Sequence, residues 1–283
     1  MKYAVVLPAH NEEDLIEKTL QSLLQQTQPP QEVVVVDDQS TDKTATLVKQ
    51  WAKQHSSLQL IQRSGAAQHQ PGAKVVHTFL KGVEALTQPY DVLVKLDADI
   101  VLPQNYFSEL AKCFKDKSVG IAGGMITELK QGQWEIDHPM NEDHVRGAIK
   151  AYSKACYQAI GGLRPIMGWD TLDEHLARFY TFKVVMLPDL LAKHYRPLGR
   201  RYAGHALQKQ GQAFYLMRYG FLFSLLALLK HAWVKQSIRA ALLLFLGYLS
   251  SFFLRPQRAV TKAEGRFIRK YRYATILSKL KSF

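Results

Sequence analysis

Apolar residues in the first 190 positions follow two alternating rhythms. Residues 3–7 form an apolar run that Pro8 closes, the mark of a buried strand. Leu15, Ile16, Leu20, Leu23 and Leu24 then recur at the spacing of one helix face. Val33-Val34-Val35-Val36 is β-branched throughout and suits a strand covered on both faces. Residues 42–51 predict a helix, with Ser40 or Thr41 available as its cap. A strand at 58–61, a helix at 73–86 and strands at 92–96 and 183–187 continue the alternation. The expectation is an α/β domain over residues 1–197, built on a doubly wound, mostly parallel sheet.

The pattern changes over residues 198–283. Residues 221–229 are apolar apart from Ser224, and residues 240–254 are nearly so. At 1.5 Å per residue the longer run covers roughly 22 Å, short of a hydrocarbon core of about 30 Å. An in-plane or re-entrant helix is therefore expected, with a helix pair buried against the main domain as the alternative. Beyond Arg255, Phe267, Tyr271, Ala274 and Leu277 recur at roughly helical spacing among Arg and Lys, as in an interfacial basic helix.

Charge sharpens this division. Residues 1–190 hold 19 Lys and Arg against 23 Asp and Glu, a net of −4. Residues 191–283 hold 18 against the single acid Glu264, a net of +17. So basic a region implies an anionic partner, and the aliphatic runs within it favour a membrane surface over nucleic acid. Cys113 and Cys156 stand far apart and outside any CxxC pattern, which argues for a reducing compartment and against a zinc ribbon. No signal-peptide core follows Met1-Lys2-Tyr3. The expected location is cytoplasmic, at the inner face of the plasma membrane, with peripheral or monotopic attachment.

Ligands of such a sheet bind at the carboxyl ends of the strands. Three acidic segments lie there: Pro8-Ala9-His10-Asn11-Glu12, Asp37-Asp38-Gln39-Ser40-Thr41-Asp42 and Asp97-Ala98-Asp99. Gathered carboxylates repel one another and need a counter-charge. A divalent cation shared with a diphosphate would supply it, and the oxygen-rich Asp-x-Asp suits Mg²⁺ or Mn²⁺. Neither GxxxxGK[ST] nor GxGxxG occurs, which excludes P-loop and dinucleotide-binding sites. Asp137, His138, Glu142, Asp143 and His144 lack the paired spacing of a zinc site and read as an acceptor-side loop.

The three segments, in this order, resemble the motifs of family 2 glycosyltransferases, over about residues 3–196. The resemblance implies a GT-A fold and transfer of a sugar from a nucleoside diphosphate donor, UDP favoured, with inversion. It implies that Pro8, Ala9, Glu12 and Asp38 line the nucleoside pocket, that Lys74 lies near the donor and that Asp97 faces the ribose or sugar. Asp99 would bind Mn²⁺ or Mg²⁺. His194, just beyond the strand-like 183–187 run, is a candidate further ligand. The family's later acidic motif is matched by Leu172-Asp173-Glu174-His175-Leu176, where Leu172 stands for the usual Glu. Asp173 is thus the expected base, with Asp170 and Glu174 as supporting acids. At helical spacing the three would share one face. The acceptor would be a glycan or lipid-linked, in cell-envelope polysaccharide synthesis. Two alternatives remain at this level. A sugar nucleotidyltransferase would carry a glycine-rich loop after the first strand, and residues 8–13 hold no glycine. A binding protein without turnover would keep the donor pocket alone.

Overall fold

The computed structural model describes residues 1–64, 72–136, 144–196, 205–235 and 237–281, with backbone alone for 205, 229–235 and 279–281. The boundary expected at 197/198 and most of the 137–144 cluster lie outside the described residues. The strands are β1 (Tyr3–Ala9), β2 (Glu32–Asp37), β3 (Leu58–Gln62), β4 (Val92–Leu96), β5 (Ile100–Val101), β6 (Val119–Lys130), β7 (Gln133–Ile136), β8 (Ile149–Ser153) and β9 (Lys183–His194). The helices are α1 (Ile16–Leu24), α2 (Thr44–Gln54), α3 (Ala73–Glu84), α4 (Tyr106–Cys113), α5 (Lys154–Ala159), α6 (Trp169–Phe179), α7 (His205–Leu216), α8 (Phe221–Lys235), α9 (Ile238–Leu254) and α10 (Lys262–Lys281).

One sheet runs β3-β2-β1-β4-β8-β6-β9-β5, with β7 paired to β6. β3, β2, β1 and β4 are parallel, as the α/β alternation requires. β8 enters antiparallel to both β4 and β6, and β9 runs parallel to β6. Strand alternation splits the core in two. Tyr3, Val5 and Leu7 join α1 and α4 on one face, while Ala4 and Val6 join Phe79 of α3 and Leu172 of α6 on the other.

Several expectations shift locally. α2 begins at Thr44 without a side-chain cap. Ser40 instead accepts from the Asn11 amide, and Asp42 accepts from the Thr44 amide. The strand expected at 183–187 continues through a bulge to His194, which pairs with Ile100 of β5. The two cysteines are free.

The C-terminal helices share the second core. Ala213, Met217, Tyr219, Phe223, Val260 and Ile268 belong to the same apolar cluster as Leu172 and Leu176 of α6. α7 and α9 cross in backbone contact at two glycines. A Cβ on Gly211 would lie 1.9 Å from the Leu244 carbonyl oxygen, and one on Gly247 would lie 2.0 Å from that of Gln208. Of the α10 residues expected at a membrane surface, Phe267 and Tyr271 pack on the domain, while Ala274 and Leu277 are exposed. Phe267 packs on Phe179 and Tyr271 on His175, both from α6. Among the described residues no helix is long and apolar enough to cross a membrane.

His175 is buried with neither ring nitrogen hydrogen-bonded. Burial, reinforced by Arg272 and Arg178, pushes its pKa down to about 3. In the unfolded chain the ring titrates near 6.5, so between those values only the unfolded chain takes the proton. Its neutral burial is therefore fully tolerated above pH 6.5 and increasingly opposed as pH falls. Between pH 7 and pH 5 the parent should lose up to about 1.4 kcal/mol per pH unit through this group. His175→Leu should lose correspondingly less in thermal melts; equal losses in parent and variant would show that the ring accepts a proton within the fold.

Candidate active site

The loops after β1 and β2 are tied to each other by short polar contacts. Asn11 Oδ1 accepts from the Thr41 amide at 2.8 Å, and the Glu12 amide donates to Thr44 Oγ1 at 2.7 Å. The Asp38 amide donates to the Ala9 carbonyl at 2.8 Å, and His10 Nδ1 lies 2.8 Å from the Asp38 carbonyl. Asn11 and Gln39 both sit at positive φ, the sharp bends that turn the chain off each strand. The edge is thus braced by its own side chains.

The predicted residues separate into two groups. Asp38 is buried beneath Lys74 at 3.1 Å and Arg63 at 3.4 Å, and it accepts from Thr78 Oγ1 at 3.2 Å. Pro8 is half-buried, and Ala9 is buried in the core. The second group is Glu12, Asp97, Asp99 and His194. Asp99 Oδ2 lies 3.1 Å from His194 Nε2, and Glu12 Oε1 lies 3.0 Å from Arg196. Asp97 meets Lys95 from the interior of β4, and its amide bonds to the Ala148 carbonyl at 2.9 Å.

The electrostatics show that these acids share one field. Burial first, then the charge of Asp99, raises Glu12 to about 7; Arg196 opposes this and Asp97 adds to it. Burial alone would lower His194, but the hydrogen bond and charge of Asp99, with Asp97 and Glu128, outweigh it and raise the ring. Glu12 Oε2 and His194 Nδ1 are buried without a hydrogen-bond partner. Among the described residues no three His, Cys, Asp or Glu side chains are grouped to hold an ion by themselves. The oxygen of Asp99 and the nitrogen of His194 fit Mg²⁺ or Mn²⁺, which typically take one or two protein ligands and complete their shell with water and phosphate.

The three acids of α6 all act on Lys150 but differ in burial. Asp173 is 2% exposed. Its carboxylate holds Lys150 at 2.8 Å and accepts from Tyr152, while Lys150 also reaches Glu174 at 3.0 Å. Glu174 accepts further from the Val145 amide at 2.9 Å and faces His144 at 3.1 Å. Burial would raise Glu174, yet Lys150 and His144 hold it down at about 2. Burial raises Asp173 against the pull of Lys150, and Lys150 is itself raised, the charges of Asp173, Glu174 and Asp170 outweighing burial. One ammonium thus pairs directly with two carboxylates.

Asp170 differs. It sits half-buried in the first turn of α6, and its carboxylate has no hydrogen bond or ion pair among the described residues. A Cβ on Gly147 would meet the Asp170 Cβ at 3.0 Å and the Trp169 ring at 2.8 Å. Residues 147 and 148 thus touch both sites, Gly147 lying against Asp170 and the Ala148 carbonyl accepting from the Asp97 amide. Trp169 lies under both buried lysines, 5.3 Å from Lys95 Nζ and 5.9 Å from Lys150 Nζ.

Sequence reasoning missed Arg63, Lys95, Lys150 and Arg196. The available signal was a lysine inside an apolar strand, in Leu93-Val94-Lys95-Leu96 and Ile149-Lys150-Ala151, because a buried ammonium demands an acid.

Residues 4–166 match glycosyl transferase family 2. A stretch of 66 residues is 39% identical to the poly(ribitol-phosphate) beta-glucosyltransferase of Bacillus spizizenii, covering 23% of this chain and 10% of that protein. A stretch of 135 residues is 30% identical to the beta-monoglucosyldiacylglycerol synthase of Nostoc sp., covering 46% and 28%. The chain thus spans well under half the length of these curated relatives. In architecture it is similar to the mannosyltransferase PcManGT from Pyrobaculum calidifontis in complex with GDP-Man and Mn²⁺. The TM-score is 0.59 at 18% identity, covering 97% of this chain and 80% of that one. S. aureus TarS 1–349 in complex with UDP-GlcNAc gives 0.58 at 18% identity, covering 80% and 66%.

Removing Lys150 would leave Asp173 and Glu174 buried without their shared cation. Lys150→Met should cost about 3–5 kcal/mol, seen as a fall in Tm of roughly 10 °C. Adding Asp173→Asn should recover part of that loss, since it removes one of the stranded charges. An unchanged Tm for Lys150→Met would show that the network contributes nothing to folding.

Proposed function

The chain belongs to glycosyl transferase family 2, and from that premise we propose that it transfers a glycosyl group from a nucleoside diphosphate sugar to an acceptor hydroxyl, with inversion. The observation that carries the reading is a division of the acids. Glu12, Asp97 and Asp99 converge at the carboxyl edge with His194 and Arg196, while Asp170, against residue 147, has a carboxylate without a hydrogen bond or ion pair among the described residues.

Displacement at an anomeric carbon leaves negative charge on the departing diphosphate and requires a base on the opposite side for the acceptor proton. Asp38, with Lys74 and Arg63 above it, supports a nucleoside pocket between the first two strand-end loops. Asp97, steadied by Lys95, faces the ribose or sugar. Asp99, with His194, would hold Mn²⁺ or Mg²⁺, which supplies positive charge to the leaving diphosphate. We assign the base to Asp170 in place of Asp173. Asp173 is enclosed, and both its oxygens are engaged by Lys150 and Tyr152. Asp173 and Glu174 then act as anchors that set α6, and through it Asp170, against the sheet.

UDP is the favoured nucleotide, supported by the UDP-GlcNAc bound in TarS; the GDP-Man of PcManGT makes GDP the next choice. The acceptor is a glycan or a lipid-linked molecule, consistent with relatives named for poly(ribitol-phosphate) and diacylglycerol glycosylation. The reaction is placed at the inner face of the plasma membrane, supported by the +17 charge of residues 191–283.

Asp170→Asn should leave donor affinity and Tm near the parent's while turnover falls by ~10²–10⁴-fold. Asp173→Asn should instead lower Tm and turnover together. Transfer at the parent rate by Asp170→Asn would move the base elsewhere, and donor binding without any transfer or hydrolysis by the parent would make the chain a binding protein. Chelation with EDTA should abolish transfer and Mn²⁺ restore it. Asp99→Ala should lose most of that rescue, whereas full activity of the parent in excess EDTA would remove the metal from the mechanism.

A further inference from the structure

A cleft of about 240 Å³, lined by Arg218, Lys262, Arg266 and Arg269, lies outside the active site. The three α10 residues are spaced four and three apart and so share a helix face. Arg218 joins them from the bend after α7, where its φ is +56°. Two of the four hold the frame. Arg218 Nε donates to the Val260 carbonyl at 2.9 Å, and Arg269 donates to the Arg218 carbonyl at 2.6 Å. Lys262 and Arg266 are exposed and make no hydrogen bond or ion pair among the described residues. Glu264, the one acid after residue 190, is committed elsewhere. It accepts from the Thr261 amide at 2.6 Å and from Tyr180 at 3.3 Å. Four cations around one cleft repel, and an anion with several acceptor oxygens relieves them.

The cleft adjoins exposed apolar surface. A Cβ on Gly220 would lie 3.3 Å from Arg269 Cδ, and Phe221 and Leu222 follow directly, both exposed at the start of α8. Phe221 lies 6.5 Å from the Tyr248 ring of α9, which brings the end of α9 to the same end of the hairpin. There Phe253 is 75% and Leu254 81% exposed. Ile238, Leu242 and Leu246 extend the exposed apolar face along α9, so that from Ile238 to Phe253 it is about 22 Å long.

We propose that the α8–α9 hairpin lies in the surface of an anionic bilayer, and that the Arg218–Lys262–Arg266–Arg269 cleft seats the phosphodiester of an anionic lipid headgroup. This rests on the membrane placement given above and is independent of the sugar-transfer chemistry. A soluble phosphate would account for the cleft and leave the apolar face bare. An apolar protein partner would cover the face and leave the cations uncompensated. An anionic lipid surface matches both.

The test is flotation of the full chain with phosphatidylcholine vesicles, alone or with a third of the lipid replaced by phosphatidylglycerol. The parent should prefer the anionic vesicles. Lys262→Gln with Arg266→Gln, which disturbs no internal contact, should weaken that binding roughly 25-fold. Leu242→Ser with Leu246→Ser and Phe253→Ser should leave binding that high salt abolishes, whereas the parent should retain a salt-resistant part. Parent-like flotation of the charge variant would overturn the cleft while the membrane placement stands. No flotation of the parent on either vesicle would overturn both. Single-stranded DNA bound more tightly than anionic vesicles, and lost in the charge variant, would assign the cleft to nucleic acid. Melting curves of both variants should match the parent's, which ties any loss to the surface changed.

Discussion

The site depends on placing carboxylates along one end of a sheet without letting them force one another apart. Of the predicted site acids, all but Asp170 are placed against a particular cation or imidazole. Asp38 has Lys74 and Arg63, Asp97 has Lys95, Glu12 has Arg196, and Asp173 and Glu174 divide Lys150. Asp99 has only an imidazole, itself raised by that carboxylate. The partial compensation is visible in Glu12, which stays raised to about 7 despite Arg196 because burial and Asp99 outweigh it. An arrangement with this residual negative character is suited to a cation that arrives with its ligand.

The counter-charges come from inside the fold. Lys95 and Lys150 lie on neighbouring antiparallel strands at directly paired positions, and both reach the carboxyl edge over the Trp169 ring. Each buried ammonium is tolerable only where an acid receives it. Register therefore does more here than align apolar faces. It delivers two cations side by side, one to Asp97 and one to the acids of α6.

The helical region after residue 205 supports this edge. Met217 lies against the turn that starts α6, since a Cβ on Gly168 would lie 3.1 Å from its Cε. Arg178 stands 5.2 Å from the Tyr271 ring of α10, and Tyr180 donates to Glu264. The inner faces of α7 and α10 thus continue the core that positions Asp170. The outer face of α8 and α9 keeps its apolar residues exposed.

Local rhythm determined the parallel half of the molecule. The short apolar runs at residues 3–7, 33–36 and 92–96 and the helical spacing between them depend on neighbours in the chain, so the strand ends and their acidic segments were legible. The glycosyltransferase motifs were read from those same short stretches. What remained hidden depends on pairing between distant residues. β8 slots antiparallel between β4 and β6, and β9 runs on to His194 because β5 and β6 offer it backbone partners. Helical spacing also put Asp170, Asp173 and Glu174 on one side of a helix without saying what that side meets. Packing against Lys150, Tyr152 and Val145 buries the latter two and leaves Asp170 open. In the same way, of the α10 residues that amphipathic spacing assigned to a membrane, α6 claims Phe267 and Tyr271 and leaves Ala274 and Leu277 exposed. Spacing fixes which residues travel together; only tertiary contact decides whether protein, ligand or solvent meets them.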